Sequence, residues 1–236
     1  MSILKEEDKI KAVLIVDVET TGLDRATNDV IEVAAVRYSL LNYAVIDAFS
    51  SVLYTKHPNG AEPINHIPQG LLSQPTMAAT VAWDIVSDMA HASGAILAHN
   101  ADFDRQWIPE GRTTILDKPW IDTCNAVSWP KESKTGSSLI NLALDHGLGV
   151  VDPHRALQDC LLLARLMTRC HEMGHDVRAI LAKGLRPQVL VEAVVSYADR
   201  DKARDFGFRW DQQTRRWLRK LAAEDCKDLP FPVKSA

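Results

Sequence analysis

The pattern of apolar residues is strongest at positions 12–23, which carry AVLIVDVETTGL. Apolar side chains fall on both faces of the β-strand that this pattern predicts. Such a strand is normally central in a sheet and covered on both sides. Asp17 and Glu19 share one face near its end, where neighbouring carboxylates repel each other and resist desolvation. We expect one of them to be protonated or a cation to lie between them; two solvated acids at a surface strand end are the ordinary alternative.

The rest of the first three quarters of the chain predicts a mixed sheet. The β-rich segments 30–38 and 44–54 are expected to form a meander with the first strand. Three strands followed by alternating helices and strands indicate an α/β fold. The later predicted elements are a short helix near 69–73, a helix at 81–93, a strand at 95–98, a helix beginning near Asn100, a strand at 120–123, a helix at 137–146 and a helix at 154–173.

The last part of the chain predicts a separate small unit. The hydrophobic pattern weakens after the long helix, so we expect a first domain at 1–175 and a linker at 176–188. Residues 189–236 then predict a C-terminal α+β module of unknown role. Its predicted elements are a strand at 191–197, a charged helix at 199–206 and a hairpin that carries Trp210 and Trp217.

The charge of this module leaves three roles open. Between Arg200 and Lys220 there are eight basic and three acidic residues, with two tryptophans among them. Such a mixture can follow a phosphate backbone and stack bases. In so small a module, however, two tryptophans ordinarily form the core. Nucleic-acid binding, protein docking and a structural extension are therefore all considered.

Composition excludes some classes of protein. The formal net charge is −4, from 27 Lys and Arg against 31 Asp and Glu, so a polyanion must be held by local contacts or by metal. The four cysteines form neither a CxxC pair nor a regular framework, which is typical of reduced thiols. No apolar run approaches the ~20 residues of a membrane span, and the acidic N-terminus lacks a signal-peptide core. We expect a cytoplasmic protein without a membrane partner.

Further carboxylates come from two other segments. Asp159 lies on the apolar face of the predicted long helix, where it needs a partner. That partner is either Arg155, four residues earlier, or a bound cation. Asp102 and Asp104 both follow a strand end, and their spacing does not choose between them. Asp102 could simply stabilise the first helical turn.

His154 completes the set of candidate residues. It follows Pro153 and is expected on the loop or first turn before the long helix. A lone histidine is ordinarily a surface residue, but beside carboxylates and a metal it becomes a candidate general base. Carboxylates with one histidine favour Mg²⁺ or Mn²⁺ over zinc. A site with two such ions clamps a phosphodiester, so its hydrolysis is the expected reaction.

Three motifs, in this order and spacing, resemble those of the DEDDh 3'-to-5' exonucleases, the family of the proofreading subunit of bacterial replicative polymerase. The motifs are Asp17-Val-Glu-Thr-Thr-Gly, His99-Asn-Ala-Asp-Phe-Asp and His154-Arg-Ala-Leu-Gln-Asp. The exodeoxyribonuclease X branch is the most similar, although residues after 187 look unrelated to it. The resemblance implies an RNase H-like fold with a mixed sheet flanked by helices. It also implies two Mg²⁺ or Mn²⁺ ions held by Asp17, Glu19, Asp104 and Asp159, with His154 as general base.

The same resemblance suggests residues that bind the substrate. Small hydroxyl residues and a glycine let the chain approach a sugar and phosphate closely. Leu23 is expected either to wedge against the last base or to pack within its own turn. Asn100 is expected to orient the second motif through backbone hydrogen bonds, although it is also a candidate for contact with substrate. The full set of candidate substrate-binding residues is Thr20, Thr21, Gly22, Leu23, His66 and Asn100.

The sequence thus predicts a metal-dependent exonuclease that removes nucleoside 5'-monophosphates from the 3' end of DNA, at single strands or frayed ends, with DNA repair among its expected roles. An exoribonuclease that trims RNA is the alternative within enzymes, because the motifs do not distinguish the two sugars. A non-catalytic module that binds nucleic acid or protein is the alternative outside enzymes. The complete set of carboxylates argues against that last alternative.

Overall fold

The computed structural model describes residues 10–131 and 138–236. The first nine residues of the predicted first domain and Ser137 of the predicted helix lie outside this part of the chain. The larger sheet has five strands in the order β3-β2-β1-β4-β5. Its strands are β1 (Ala12–Thr20), β2 (Val30–Ser39), β3 (Ala44–Val52), β4 (Ala95–Ala98) and β5 (Trp120–Asp122). The first three form the predicted antiparallel meander, and β4 and β5 continue the sheet in parallel.

Helices cover both faces of this sheet, as the predicted α/β class requires. Those between the strands are α1 (Glu62–Asn65), α2 (Gln69–Leu72), α3 (Ala79–His91), α4 (Ala101–Trp107) and α5 (Thr113–Leu116). Those after the last strand are α6 (Leu139–Asp145), α7 (Ala156–Glu172) and α8 (Val177–Gly184). Residues from α3, α4 and α5 pack on one face, and residues from α6, α7 and α8 pack on the other.

Strand β1 lies at the centre of the sheet because it is apolar on both sides. Val13 and Ile15 belong to the core beneath α7, whereas Leu14 and Val16 belong to the core beneath α3. All four side chains are at most 1% exposed. The two-sided pattern therefore predicted both the strand and its central place correctly.

The segment expected to be a linker contains helix α8. Asp176 caps it, because its carboxylate accepts hydrogen bonds from the backbone N–H groups of Arg178 and Ala179. Val177 and Leu181 are buried in the same core as α7. The helix has only eight residues and is interrupted by charged side chains, so its periodicity in the sequence is weak.

The C-terminal module is a second sheet with one helix packed against it. Its order is β7-β8-β6-β9, and all pairings are antiparallel. The elements are β6 (Gln188–Ala193), α9 (Arg200–Asp205), β7 (Arg209–Asp211), β8 (Arg216–Ala222) and β9 (Val233–Ser235), with 3₁₀ turns at Tyr197–Asp199 and Asp225–Asp228. Strand β9 was not predicted, because three residues carry too little pattern.

The core of this module is not built on the two tryptophans. Its buried residues are Val191, Ala193, Ala203, Phe208 and Leu221. Trp217 packs against them while partly buried, and Trp210 is 48% exposed. The tryptophans pair across the β7–β8 hairpin, as the hairpin prediction required.

The two units contact each other through polar side chains. Lys220 of β8 forms an ion pair with Asp102 of α4. A guanidinium N–H of Arg209 donates to Cys124 Sγ at 3.5 Å. Over residues 10–131 and 138–236, every helix is too short or too polar to span a bilayer.

Candidate active site

A cluster of carboxylates lies at the end of β1, on the side of the sheet covered by α7. Asp17 and Glu19 come from the strand, and Asp159 comes from the first turns of α7. One carboxylate oxygen from each of the three lies within 4.8 Å of the other two. The structure thus brings together acids that are 142 residues apart in the chain.

Asp104 joins this cluster from helix α4. It is 2% exposed, and its Oδ1 accepts a hydrogen bond from the backbone N–H of Val18 at 3.1 Å. After burial, the charge of Asp104 contributes most to the raised pKa of Asp17. Asp102, by contrast, is exposed and pairs with Lys220. Of the two aspartates between which spacing could not choose, only Asp104 faces the cluster.

Burial makes these carboxylates hard to ionise. Desolvation, followed by the charges of Asp159 and Glu32, raises the pKa of Glu19 to about 8. Desolvation also raises the pKa of Asp17 and Asp104 well above the usual range. It raises the pKa of Asp159 too, although the backbone and side chain of His154 oppose that rise. The protein supplies too little positive charge to keep all of these carboxylates ionised, so either protons or a bound cation must compensate them.

Arg155 does not neutralise the cluster. The sequence left open whether it pairs with Asp159, but its guanidinium instead donates to Glu32 at 3.0 and 3.1 Å. The Glu32 carboxylate also accepts from the backbone N–H of Ala156 at 3.1 Å and from Ser50 Oγ at 3.0 Å. Asp159 therefore forms no ion pair with any of the described residues.

Glu32 is a residue that the sequence analysis missed. It lies on β2 directly opposite Glu19 and is 2% exposed. A carboxylate inside an otherwise apolar strand, at VIEVAAV, was the available signal. Its pairing with Arg155 ties β2 to the start of α7.

His154 lies on the loop before α7, as predicted. Its backbone adopts a left-handed conformation with φ of +63°, and the residue is exposed. The charge of His154 and its backbone N–H both act to lower the pKa of Asp159, which places His154 beside the cluster.

The turn after β1 uses the hydroxyls of its threonines internally. Thr20 Oγ1 donates to the carbonyl of Gly22 at 2.7 Å, and Thr21 Oγ1 donates to Asn28 Oδ1 at 3.0 Å. Both threonines are buried. A Cβ on Gly22 would lie 2.4 Å from Asn28 Oδ1, so a larger residue there would displace the Asn28 side chain. These residues therefore form the rim of the site through hydrogen bonds within the turn.

Leu23 and His66 project from that rim. Leu23 is 82% exposed, which excludes its packing within the turn. His66 is exposed directly after α1. The buried Asn65 holds this loop against β1, because its Nδ2 donates to the carbonyl of Thr20 at 3.3 Å.

Asn100 has φ of +89°, and its backbone N–H donates to Asp122, in keeping with the expected orienting role.

Comparisons with known proteins agree with this architecture. A family model described as Exonuclease matches residues 14–167, and a model described as a domain of unknown function matches residues 189–236. The DNA polymerase III subunit epsilon of Treponema pallidum is 32% identical over 164 residues, which cover 64% of this chain and 73% of that protein. The PolC-type DNA polymerase III of Thermotoga petrophila is 28% identical over 166 residues, or 68% of this chain. This chain spans only 12% of that polymerase.

Among solved structures, exonuclease X in complex with 5' overhanging duplex DNA has a TM-score of 0.53 and 23% identity, covering 73% of this chain and 99% of that one. The sheet order and flanking helices define an RNase H-like domain, as predicted. The chain belongs to the exonuclease family through residues 14–167. The resemblance to 3'-to-5' exonucleases that the three motifs indicated is thereby confirmed.

Proposed function

We propose that this protein is a metal-dependent exonuclease that hydrolyses the terminal phosphodiester at the 3' end of DNA and releases nucleoside 5'-monophosphates. The observation that carries the proposal is the convergence of Asp17, Glu19 and Asp159 within 4.8 Å, beside the buried Asp104. Such a cluster is costly to bury unless it serves a cation. Single strands and frayed ends are the proposed substrates, and repair of DNA in the cytoplasm is the proposed setting.

The residues present fit Mg²⁺ or Mn²⁺. All four candidate ligands are carboxylates, which hard cations prefer, and no arginine forms an ion pair with Asp17 or Glu19 within the described residues. Asp17, Glu19, Asp104 and Asp159 would hold two ions. When bound, such ions stabilise the attacking and leaving oxygens of a phosphodiester displacement.

The protein's own groups then position the reactants. His154 takes a proton from the attacking water, and its exposed loop lets the imidazole reach the water from outside the cluster. Leu23 contacts the terminal base, and His66 lies over the 3' end. Attack at the last phosphate leaves that phosphate on the released nucleoside and a new 3' hydroxyl on the strand.

The test is digestion of matched 5'-labelled DNA and RNA single strands with Mg²⁺, Mn²⁺ or EDTA. We expect a ladder that shortens from the 3' end, faster on DNA and absent in EDTA. Asp17→Asn should reduce the rate by about a thousandfold or more, because loss of one essential catalytic group has effects of that size. Faster digestion of RNA would favour the exoribonuclease. No cleavage by a folded protein would favour a binding module.

A further inference from the structure

The C-terminal module carries a cavity that the exonuclease site does not use. Its volume is about 460 Å³, within the range of pockets that bind small ligands. Three aromatic rings and three arginines line most of it: Tyr197, Trp210, Trp217, Arg200, Arg215 and Arg216. The carboxylate of Glu192 also lines it and forms ion pairs with Arg216 and Lys234.

The aromatic rings of this cavity are available to a ligand. The ring centroids of Trp210 and Trp217 lie 5.6 Å apart with their planes at 60°. Trp210 is 48% exposed and Tyr197 is 83% exposed. The core of the module consists of other residues, with Trp217 packed at its edge. The rings of Trp210 and Tyr197 therefore lie outside the core of the module.

Among the residues that the structure describes, two of the arginines have no acidic partner. Arg200 Cζ lies 4.1 Å from the ring centroid of Tyr197, and its guanidinium donates to the Tyr197 carbonyl. Neither Arg200 nor Arg215 forms an ion pair with any residue that the structure describes. Neighbouring basic residues do form ion pairs: Lys202 with Asp199, Arg204 with Asp201, and Arg216 with Glu192. Positive charge thus remains available beside exposed rings.

The charge of the whole module agrees with an anionic ligand. Residues 189–236 contain ten Lys and Arg against eight Asp and Glu, a formal charge of +2. Since the whole chain carries −4, residues 1–188 carry −6. The more positive part of the protein is therefore this module and not the exonuclease domain.

We propose that this cavity binds single-stranded nucleic acid, with bases stacked on Trp210 and Tyr197 and phosphates held by Arg200 and Arg215. A nucleic-acid strand presents an aromatic face and an anionic group at every nucleotide, which matches the alternation of rings and unpaired arginines. The proposal rests on the proposed function, since the strand bound here is the one that the exonuclease domain shortens. It adds a second contact on the substrate, away from the scissile bond.

Binding is tested on the full chain in EDTA, with fluorescence anisotropy of a labelled oligothymidylate. Trp210→Ala, Tyr197→Ala and Arg215→Ala should each weaken binding by about tenfold, because loss of one stacking or charged contact has effects of that size. Trp210→Phe should retain most of the affinity. Lys227→Ala removes one exposed positive charge elsewhere on the module and is the matched control. Circular dichroism establishes that each variant is folded.

A second substrate separates this proposal from the proposed function. Hydrolysis of thymidine 5'-p-nitrophenyl phosphate with Mn²⁺ needs only the exonuclease site, so these variants should hydrolyse it at the wild-type rate. On oligothymidylate they should show a raised KM with an unchanged kcat. If the wild type hydrolyses neither substrate but the variants still lose affinity, the cavity proposal stands and the exonuclease proposal fails. If all three variants bind as tightly as Lys227→Ala, the cavity proposal is overturned.

Discussion

At the scale of single residues, the two glutamates that face each other across β1 and β2 have different roles. Glu32 is neutralised by Arg155 through two hydrogen bonds, whereas Glu19 lies among other acids. The same residue type is therefore ion-paired in one position, whereas in the other position burial raises its pKa to about 8. Glu32 pairs with an arginine at the start of α7, whereas burial and the charges of Asp159 and Glu32 act on Glu19.

The first prediction concerns the stability of the metal-free protein. Folding raises the pKa of Glu19 to about 8, above its pKa in the unfolded chain. At pH values between these two, Glu19 holds a proton in the folded state that it has lost in the unfolded state. In EDTA, the free energy of unfolding should fall as pH rises through this window. Glu19→Gln removes the part of this dependence that comes from Glu19, while Asp17, Asp104 and Asp159 keep theirs, and should raise the Tm relative to wild type at pH 8.

Thermal unfolding of both proteins at a series of pH values measures this difference. Added Mn²⁺ should raise the Tm of the wild type more than that of Glu19→Gln, because the ion takes the place of the proton. An equal Tm for the two proteins at pH 8 in EDTA would show that burial of Glu19 is not destabilising.

At the scale of elements, the ion pair between Glu32 and Arg155 connects β2 to α7. It lies next to His154 and precedes Asp159 by one helical turn. The pair thus sets where the third motif lies relative to the first. Buried pairs are costly to break, because removal of one partner leaves an uncompensated charge.

The second prediction is that Arg155→Met destabilises the protein by about 2–4 kcal/mol, as the Glu32 carboxylate loses its partner while buried. Exonuclease activity should also fall, through displacement of His154 and Asp159. Urea unfolding and rate measurements on the same preparations test both effects. Arg165→Met, at an exposed position on α7, is the matched control. Equal stability of the two variants would mean that the pair contributes little.

The sequence predicted the strands of the larger sheet and its long helix, but it missed shorter elements whose formation depends on tertiary contacts. The two-sided apolar pattern of β1 and the apolar face of α7 extend over enough residues to identify a strand and a helix. Helix α8 and strand β9 are short, so their formation depends on tertiary contacts that sequence periodicity does not record. The core of the C-terminal module depends on Phe208 and Leu221 more than on the prominent tryptophans.

The sequence identified some residues of the carboxylate cluster and missed another. Asp17, Glu19 and Asp159 stand out because each is a charge on an apolar face. The choice between Asp102 and Asp104 depends on which side of α4 faces the sheet, and spacing alone does not define that. Glu32 was missed because its partner Arg155 is 123 residues away in the chain.

At the scale of the whole molecule, Asp102 and Asp104 lie on one helix but contact different parts of the protein. Asp104 faces the carboxylate cluster, and Asp102 faces the C-terminal module through Lys220. Helix α4 therefore lies between the proposed catalytic site and the module that carries the aromatic cavity. A substrate strand that reaches both would pass close to this helix.

The most direct test of the central claim compares Asp104→Asn with Asp102→Asn. The two changes replace the same type of side chain, two residues apart on one short helix. We predict that Asp104→Asn lowers the Mn²⁺-dependent release of nucleotide from single-stranded DNA by about a thousandfold, whereas Asp102→Asn stays within a few-fold of wild type. The contrary result, equal rates for the two variants or a greater loss in Asp102→Asn, would contradict the assignment of the buried carboxylate cluster as the catalytic site.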